Sequence, residues 1–141
     1  MSKEKKNLSA LPAVGAQATR ERTITDDDIV RFAEVSGDRN PVHLDADYAA
    51  RSPFGQRIAH GFLIGSLISA AIGMDLPGPG SIYLGQTLKF VAPVHIGDTV
   101  TVSVEVIKVR EDKGLITLRT DCTNQNGALV ITGEAVVKYV G

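Results

Sequence analysis

Cysteine is nearly absent from the chain, which contains only Cys122. A single thiol cannot form an internal disulfide, and this fits a reducing compartment. No secretory leader is predicted, because Lys3, Lys5 and Lys6 are followed by no apolar segment of the kind that a leader carries. We therefore predict a soluble, cytoplasmic protein.

An excess of charge is also missing. The formal net charge is -1 at pH 7, so the composition carries no electrostatic signature of nucleic-acid or anionic-membrane binding. The three histidines and the one cysteine have no metal-ligand spacing. No glycine-rich phosphate loop follows a predicted strand, and no Gly-x-Ser-x-Gly nucleophile turn occurs. We therefore expect no nucleic-acid partner, no membrane and no metal.

The most apolar segment, residues 60–74, reads HGFLIGSLISAAIGM. Its polar residues after the histidine are small serines, and a helix without a polar face must be covered on all sides. At about 15 residues it is shorter than the ~20 that a membrane span needs. We predict a buried central helix, wrapped by an antiparallel sheet, whose N-terminus at Gly61 points toward a site.

The N-terminal region is predicted to hold one strand and one helix. Residues 14–24 form a weak strand pattern. Thr25 can cap the following helix with Asp28 returning the hydrogen bond, and Gly37 can end it. The apolar stripe of this helix comprises Ile29, Val30, Phe32, Ala33 and Val35. A second short helix is predicted over residues 45–51.

Four alternating runs in the last part of the chain predict an antiparallel meander. Residues 81–91 form the first run, and Asn126-Gly127 is a hairpin turn signal between the last two. A one-residue slip at Ile107 predicts a β-bulge, and Gly133 is predicted to allow a second bulge or bend. The predicted inward-facing residues are Val100, Val102, Val104 and Val106 on the second strand and Ile116, Leu118, Thr120 and Cys122 on the third.

These elements predict an α+β fold. Residues 1–13, charged and then small, are predicted to be a disordered tail, and residues 14–141 a single domain. Open edges of such a sheet are often covered by a second copy, so we predict a homodimer.

Asp38 and His43 are the first candidates for chemistry. They flank Pro41 in the turn-rich segment SGDRNPVH, and a carboxylate beside an imidazole can position a water and move its protons. Spacing alone leaves a second interpretation open. In that alternative, Asp38 and Asn40 make turn hydrogen bonds and His43 caps a helix.

The pair His60-Gly61 is the second candidate. The first N–H groups of a helix lack an intrahelical partner, so the Gly61 amide could polarise a carbonyl as half of an oxyanion hole. Alternatively, the glycine serves packing alone. Gly65 and Ser69 continue the same helix edge, which could either let the sheet approach closely or line a tunnel.

The segments Ser36–His43 and Ala59–Phe62, SGDRNPVH and AHGF, together resemble the MaoC-like (R)-specific enoyl-CoA hydratases, in particular the short PhaJ-type members of polyhydroxyalkanoate supply. The segments GSIYLGQ and PVHIGDT add to the resemblance, which covers residue 14 to the C-terminus. It implies the hot-dog fold, in which an antiparallel sheet wraps around a long central helix.

The resemblance also implies an activity, the reversible hydration of a trans-2-enoyl thioester to the (R)-3-hydroxyacyl thioester. It implies that Asp38 and His43 hold the attacking water and that Gly61 N–H binds the thioester carbonyl. Asn40 would orient the site, and Ser69 would lie along the acyl chain. The family is dimeric and needs no bound cofactor, since coenzyme A enters as part of the substrate.

Three other functions remain open at this stage. The same residues would serve a (3R)-hydroxyacyl-acyl-carrier-protein dehydratase running the reaction in reverse. A hot-dog thioesterase would use other nucleophile or base residues. A non-catalytic acyl-thioester binding module could share the fold, since a fold does not determine a function. The acyl chain length and the pathway do not follow from the sequence.

Overall fold

The structure is a computed structural model that describes residues 11–141. The predicted disordered tail, residues 1–13, therefore lies outside the described residues except for its last three. Among those three, Leu11 packs against the apolar core.

The N-terminal strand and helix form as predicted. Strand β1 covers Gln17–Thr23 and helix α1 covers Asp26–Ser36. The Thr25 hydroxyl accepts a hydrogen bond from the Asp28 amide at 3.1 Å, and the Asp28 carboxylate accepts one from the Thr25 amide at 3.1 Å. Gly37 ends the helix with a φ of 82°, a left-handed conformation that favours glycine. The predicted capping box and helix end are therefore confirmed.

The predicted stripe of α1 is wrong at one position. Ile29 and Ala33 are buried, whereas Val35 is 84% exposed. At 100° per residue, Ile29 and Ala33 lie about 40° apart around the helix, while Val35 lies about 240° from Ile29. Val35 therefore faces away from the core.

Two short helices follow, of which only the second is predicted. Helix α2 covers Pro41–Leu44, and helix α3 covers Ala46–Ala50. The Asn40 side chain caps α2 by accepting from the Val42 amide at 3.1 Å, and proline suits a first helical position because its missing N–H would be unpaired there. Asp45 caps α3 as expected.

The central helix starts where the sequence predicts. Helix α4 covers Gly61–Ala70 and continues as a π-helical turn over Ala71–Asp75. Its buried face comprises Ile64, Ile68, Ala71 and Ile72. The expected coverage on all sides is wrong for the single chain, because Phe62 is 67% exposed and Ser66 and Ser69 are also exposed. One sheet can cover only one side of a helix. Within residues 11–141, no helix is long and apolar enough to cross a membrane.

The sheet is antiparallel throughout, with the strand order β1-β4-β5-β6-β2, and β3 also pairs with β6. Its remaining strands are β2 Ser81–Gln86, β3 Lys89–Phe90, β4 Thr99–Arg110, β5 Leu115–Thr123 and β6 Leu129–Tyr139. The single strand predicted over residues 81–91 is thus two strands. Together with the helices this arrangement confirms the α+β class.

The inner face of the sheet carries the predicted side chains. Val100, Val102, Val104 and Val106 of β4 and Ile116, Leu118, Thr120 and Cys122 of β5 are all buried. The register shifts between Val106 and Lys108, so the β-bulge predicted at Ile107 is confirmed. Of the bulge or bend predicted at Gly133, the bulge is wrong, because β6 pairs with β5 in continuous register there, and the bend stays a prediction. Instead, Gly133 leaves space for the main chain of Thr87, where β2 gives way to β3.

Candidate active site

The segment before α2 is held by its own side chains. The Ser36 hydroxyl accepts from the Asp38 amide at 3.1 Å, and the Asp38 carboxylate accepts from the Asn40 amide at 3.2 Å. The predicted turn hydrogen bonds of Asp38 and Asn40 therefore exist. They use one oxygen of Asp38, whose side chain stands in an exposed part of the segment, so they do not preclude a role in chemistry.

The alternative interpretation expected His43 to cap a helix, and this expectation is wrong, because Asn40 and Asp45 cap α2. His43 lies in the last turn of α2, where its residue is 9% exposed, and its Nδ1 lies 2.8 Å from the carbonyl oxygen of Ile58. A carbonyl oxygen can only accept, so Nδ1 carries the hydrogen. The other nitrogen, Nε2, then holds a lone pair in the neutral ring and can act as a base.

Arg57 joins α2 to α1. Its Nε donates to the main-chain carbonyl of His43 at 2.7 Å, and its Nη2 donates to the Asp26 carboxylate at 2.7 Å. The side chain is only 18% exposed. Because a guanidinium can bond two partners in a fixed geometry, Arg57 fixes the main chain of His43 against the start of α1.

His60, the residue before α4, enters the same site from the opposite side. It is 2% exposed, and its Nε2 lies 2.9 Å from the main-chain carbonyl of Asp38. Its ring stacks on His43 with centroids 3.9 Å apart and an interplanar angle of 28°. The Phe32 ring contacts it at a centroid distance of 4.8 Å. The sequence analysis named His60 only together with Gly61 and gave it no role, because only the fold reveals that the two histidines touch.

Burial lowers the pKa of His60 below its ordinary value, and the neighbouring His43 lowers it further. A hydrogen bond to the Asp38 carbonyl acts in the opposite direction and is outweighed. His60 is therefore neutral at pH 7. Since Nε2 carries its hydrogen, Nδ1 is an acceptor, and it has no hydrogen-bond partner within residues 11–141.

Asp38, His43 and His60 form a compact cluster. One carboxylate oxygen and one nitrogen from each ring all lie within 4.8 Å of one another. Such a donor set is one that metals use, although the sequence spacing predicts no metal site. The same groups can hold a water molecule, since a carboxylate oxygen and a ring nitrogen without hydrogen both accept hydrogen bonds.

An apolar cavity of about 420 Å³ opens beside the N-terminus of α4. Its lining includes Gly61, Ile64, Ile131 and the aromatic rings of Phe54, Phe62 and Phe90. A Cβ at Gly61 would lie 2.6 Å from the Phe90 ring, so glycine keeps the helix terminus open toward this cavity. An apolar chain fits such a lining, with unpaired helix N–H groups at its edge.

The structure brings some of the predicted site residues together and leaves one apart. Asp38 and His43 meet, and Gly61 follows His60, which touches both. Asn40 lies in the same segment, where its side chain caps α2. Ser69 lies about 12 Å further along α4 than Gly61. Its side chain is exposed, and it is not among the residues that line the cavity.

Comparison with known proteins yields consistent matches. The family model of the MaoC like domain matches residues 10–126. An (R)-specific enoyl-CoA hydratase of Aeromonas caviae is 50% identical over 125 residues, covering 89% of this chain and 93% of that protein. A 3-hydroxybutyryl-CoA dehydratase of Methylorubrum extorquens is 48% identical over 125 residues, covering 89% and 79%. The solved structure of unliganded R-hydratase PhaJ1 of Pseudomonas aeruginosa matches with a TM-score of 0.87 and 51% identity, covering 91% of this chain and 82% of that one.

Proposed function

The chain belongs to the MaoC-like domain family, and from this membership we propose that it is an (R)-specific enoyl-CoA hydratase. It is a hydro-lyase with the predicted hot-dog fold. The reaction is the reversible addition of water to a trans-2-enoyl-CoA, giving the (R)-3-hydroxyacyl-CoA. The observation that carries the proposal is the meeting of the Asp38 carboxylate and the His43 ring within 4.8 Å.

Asp38 and His43 hold the attacking water between them. Water is a weak nucleophile, so its addition to C3 requires a base that removes a proton, and C2 must receive a proton. The proposed pair can supply both, because a carboxylate oxygen of Asp38 and a ring nitrogen of His43 lie within 4.8 Å of each other, and His43 Nε2 holds a lone pair when Nδ1 bonds to the Ile58 carbonyl. The water oxygen bonds to C3 while the C2–C3 double bond opens. One proton is delivered to C2, so a whole water molecule is added.

The Gly61 amide stabilises the charge that develops on the thioester oxygen. As the double bond opens, negative charge moves onto the carbonyl in an enolate-like state. The amide at the start of α4 and the positive end of the helix dipole both favour that charge. Removing one such donor costs about 2.7–4 kcal/mol in other enzymes. The absence of a side chain at Gly61 lets the thioester reach the main chain.

The substrate supplies the only coenzyme that this chemistry requires. Coenzyme A arrives as the thioester carrier, and the double bond conjugated to the thioester carbonyl is already activated for attack, so we propose no bound cofactor. Asn40 contributes by fixing the start of α2, through its cap on the Val42 amide. Ser69 is proposed to contact the far part of a longer acyl chain.

A homodimer is part of the proposal. The sheet edge formed by β2 and β3 exposes Ile82, Leu84, Phe90 and Val91, and the neighbouring Phe62 of α4 is 67% exposed. Exposed apolar residues along an unpaired edge favour a second chain there. The second copy would close the open side of the cavity and would also bury Ser69.

Hydration of crotonyl-CoA by the purified protein tests this function. Absorbance at the enoyl band should fall, and chiral analysis should give the (R)-3-hydroxy product. Asp38→Asn keeps an oxygen that accepts from the Asn40 amide, so the loop should stay folded. Its kcat should fall by roughly 10²–10⁴-fold. Asp47→Asn, an exposed position on α3, is the matched control and should behave like wild type.

Three further arms separate the alternatives. Acyl-carrier-protein thioesters are compared with CoA thioesters from C4 to C12. Free thiol is measured to detect a thioesterase. Equilibrium binding without turnover would indicate a binding module. A wild-type protein that leaves every enoyl-CoA unchanged would overturn the assignment.

A further inference from the structure

His60 contacts the catalytic pair in two ways. Its Nε2–H donates to the main-chain carbonyl of Asp38 at 2.9 Å, and its ring stacks on His43 at 3.9 Å. It is also the residue immediately before Gly61, at the start of α4. One side chain thus joins the segment of Asp38, the ring of His43 and the helix terminus that carries the proposed oxyanion donor.

The rest of the packing leaves this ring little freedom. The Phe32 ring contacts it at a centroid distance of 4.8 Å, and the residue is 2% exposed. If the His60 ring rotated, the hydrogen bond from Nε2–H to the Asp38 carbonyl and the stacking on His43 could therefore not both persist. A histidine that served only to fill this space would not need its N–H directed at a carbonyl of the catalytic segment.

The ring is neutral, and this matters for its neighbour. Its Nδ1 is buried without a partner among residues 11–141, so no group there would stabilise a second proton. Burial and the adjacent His43 keep its pKa low. During hydration His43 gains and loses charge, and a charged ring stacked upon it would oppose that change. A neutral ring can stay in place through the whole cycle.

Resting on the hydratase function proposed above, we propose that His60 is a positioning residue, which aligns Asp38 and His43 through its N–H bond and its stacked ring. It transfers no proton itself. His60 sets the distance between the two groups that share the attacking water, and it couples that distance to the start of α4. Its loss should therefore reduce turnover more than substrate binding.

Two substitutions separate the two contacts. His60→Gln places an amide N–H near the position of Nε2 and removes the ring, while His60→Phe keeps a stacked ring and removes the donor. We expect His60→Phe to lower kcat at least 10-fold with KM changed less than about 3-fold. His60→Gln should recover part of that loss, because it retains the bond to the Asp38 carbonyl. His95→Gln, which changes the third histidine in a turn of the chain, is the control.

Thermal melting and circular dichroism show whether each variant is folded, and kcat is compared per folded molecule. Equal kcat for wild type and both variants, with only the melting temperature lowered, would show that His60 merely fills space and would overturn the proposal. The same conclusion follows if KM rises and kcat does not change.

The pH profile distinguishes positioning from proton transfer. The acid limb of kcat/KM should keep its position in His60→Gln, because the neutral ring does not titrate in the reaction. A shift of that limb by a full pH unit or more would assign His60 a proton-transfer role and overturn the proposal.

Nitrogen-15 spectra of the imidazole rings test the contacts without any substrate. The chain has three histidines, so single substitutions assign them. We expect His60 as the Nε2–H tautomer, remaining neutral at pH values where an ordinary histidine, with a pKa of ~6.5, becomes charged. An Nδ1–H tautomer, or ordinary titration, would contradict the proposal even if the wild type proved inactive on enoyl-CoA.

Discussion

Gly133 offers the sharpest test of how the sheet is built. It lies in β6, and a Cβ added there would overlap the carbonyl oxygen of Thr87 and lie 2.8 Å from its carbonyl carbon. The substitution Gly133→Ala therefore forces the Thr87 main chain to move. A main-chain atom cannot rotate aside as the end of a long side chain can.

The cost follows from what holds Thr87. Its amide donates to the Glu134 carbonyl at 2.8 Å, its hydroxyl accepts from the Glu134 amide at 2.9 Å, and its carbonyl accepts from the Gln86 side chain at 2.7 Å. Overpacking costs about 1–3 kcal/mol, and each hydrogen bond that is weakened costs up to about 1 kcal/mol. Reduced freedom of the unfolded chain returns about 0.4–1 kcal/mol. We expect a net loss of about 2–4 kcal/mol.

The assay is urea unfolding followed by circular dichroism, with thermal melts alongside. Both are done at one protein concentration, because an oligomer's apparent stability depends on concentration. For a chain of this size the loss corresponds to about 10 °C in melting temperature. Gly85→Ala is the control on the neighbouring β2, where an added Cβ would meet nothing within 4 Å. Equal stability of the two variants would refute the predicted overlap at Thr87.

Three further changes probe the site and its support. Gly61→Ala should lower kcat/KM at least 10-fold in steady-state kinetics, since the methyl would clash with the Phe90 ring that lines the cavity; unchanged kinetics would contradict this. Arg57→Lys should lower both kcat and stability, the latter by about 1 kcal/mol in urea, by loosening its bond to the His43 carbonyl. The hydrogen bond from Arg22 is the main cause that lowers the pKa of the Asp28 carboxyl. The ionised Asp28 therefore stabilises the fold at pH values above its ordinary pKa of ~3.9. The urea stability difference between wild type and Asp28→Asn should therefore be full at pH 7 and disappear as pH falls through the lowered value.

The sequence predicts best the elements whose signals are local. The alternating valines of β4 place one face inward because side chains alternate across a strand. The capping box at Thr25 and Asp28 involves residues three apart, and the structure contains both of its hydrogen bonds. The β-bulge near Ile107 also appears as a slip within one strand. In each case the energetic reason lies within a few residues of chain.

Features that depend on distant contacts were missed. His60 stacks on His43 across 17 positions of sequence, and no periodicity reveals such a contact. Gly133 is needed because the main chain of Thr87 lies against it, and this contact depends on the pairing of both β2 and β3 with β6. The apolar pattern of α4 correctly predicted a helix but not its exposed face, because the pattern cannot distinguish cover by the same chain from cover by another.

The proposed site illustrates why these distant contacts decide function. The segment of Asp38 and His43 has only short helices of its own, which are marginal without tertiary support. Besides the bonds from Arg57 and His60 described above, two more bonds hold it to the loop before α4. His43 Nδ1 bonds to the Ile58 carbonyl at 2.8 Å, and the Ile58 amide donates to the Val42 carbonyl at 3.3 Å. The same loop is bonded to the connection between β3 and β4, because the Ala59 amide donates to the Val94 carbonyl at 2.7 Å. The segment that carries the carboxylate and the imidazole is thus separate from the helix terminus, and the two are aligned through the loop before α4. The proposed catalytic geometry is therefore a property of the tertiary fold and not of the motif residues alone.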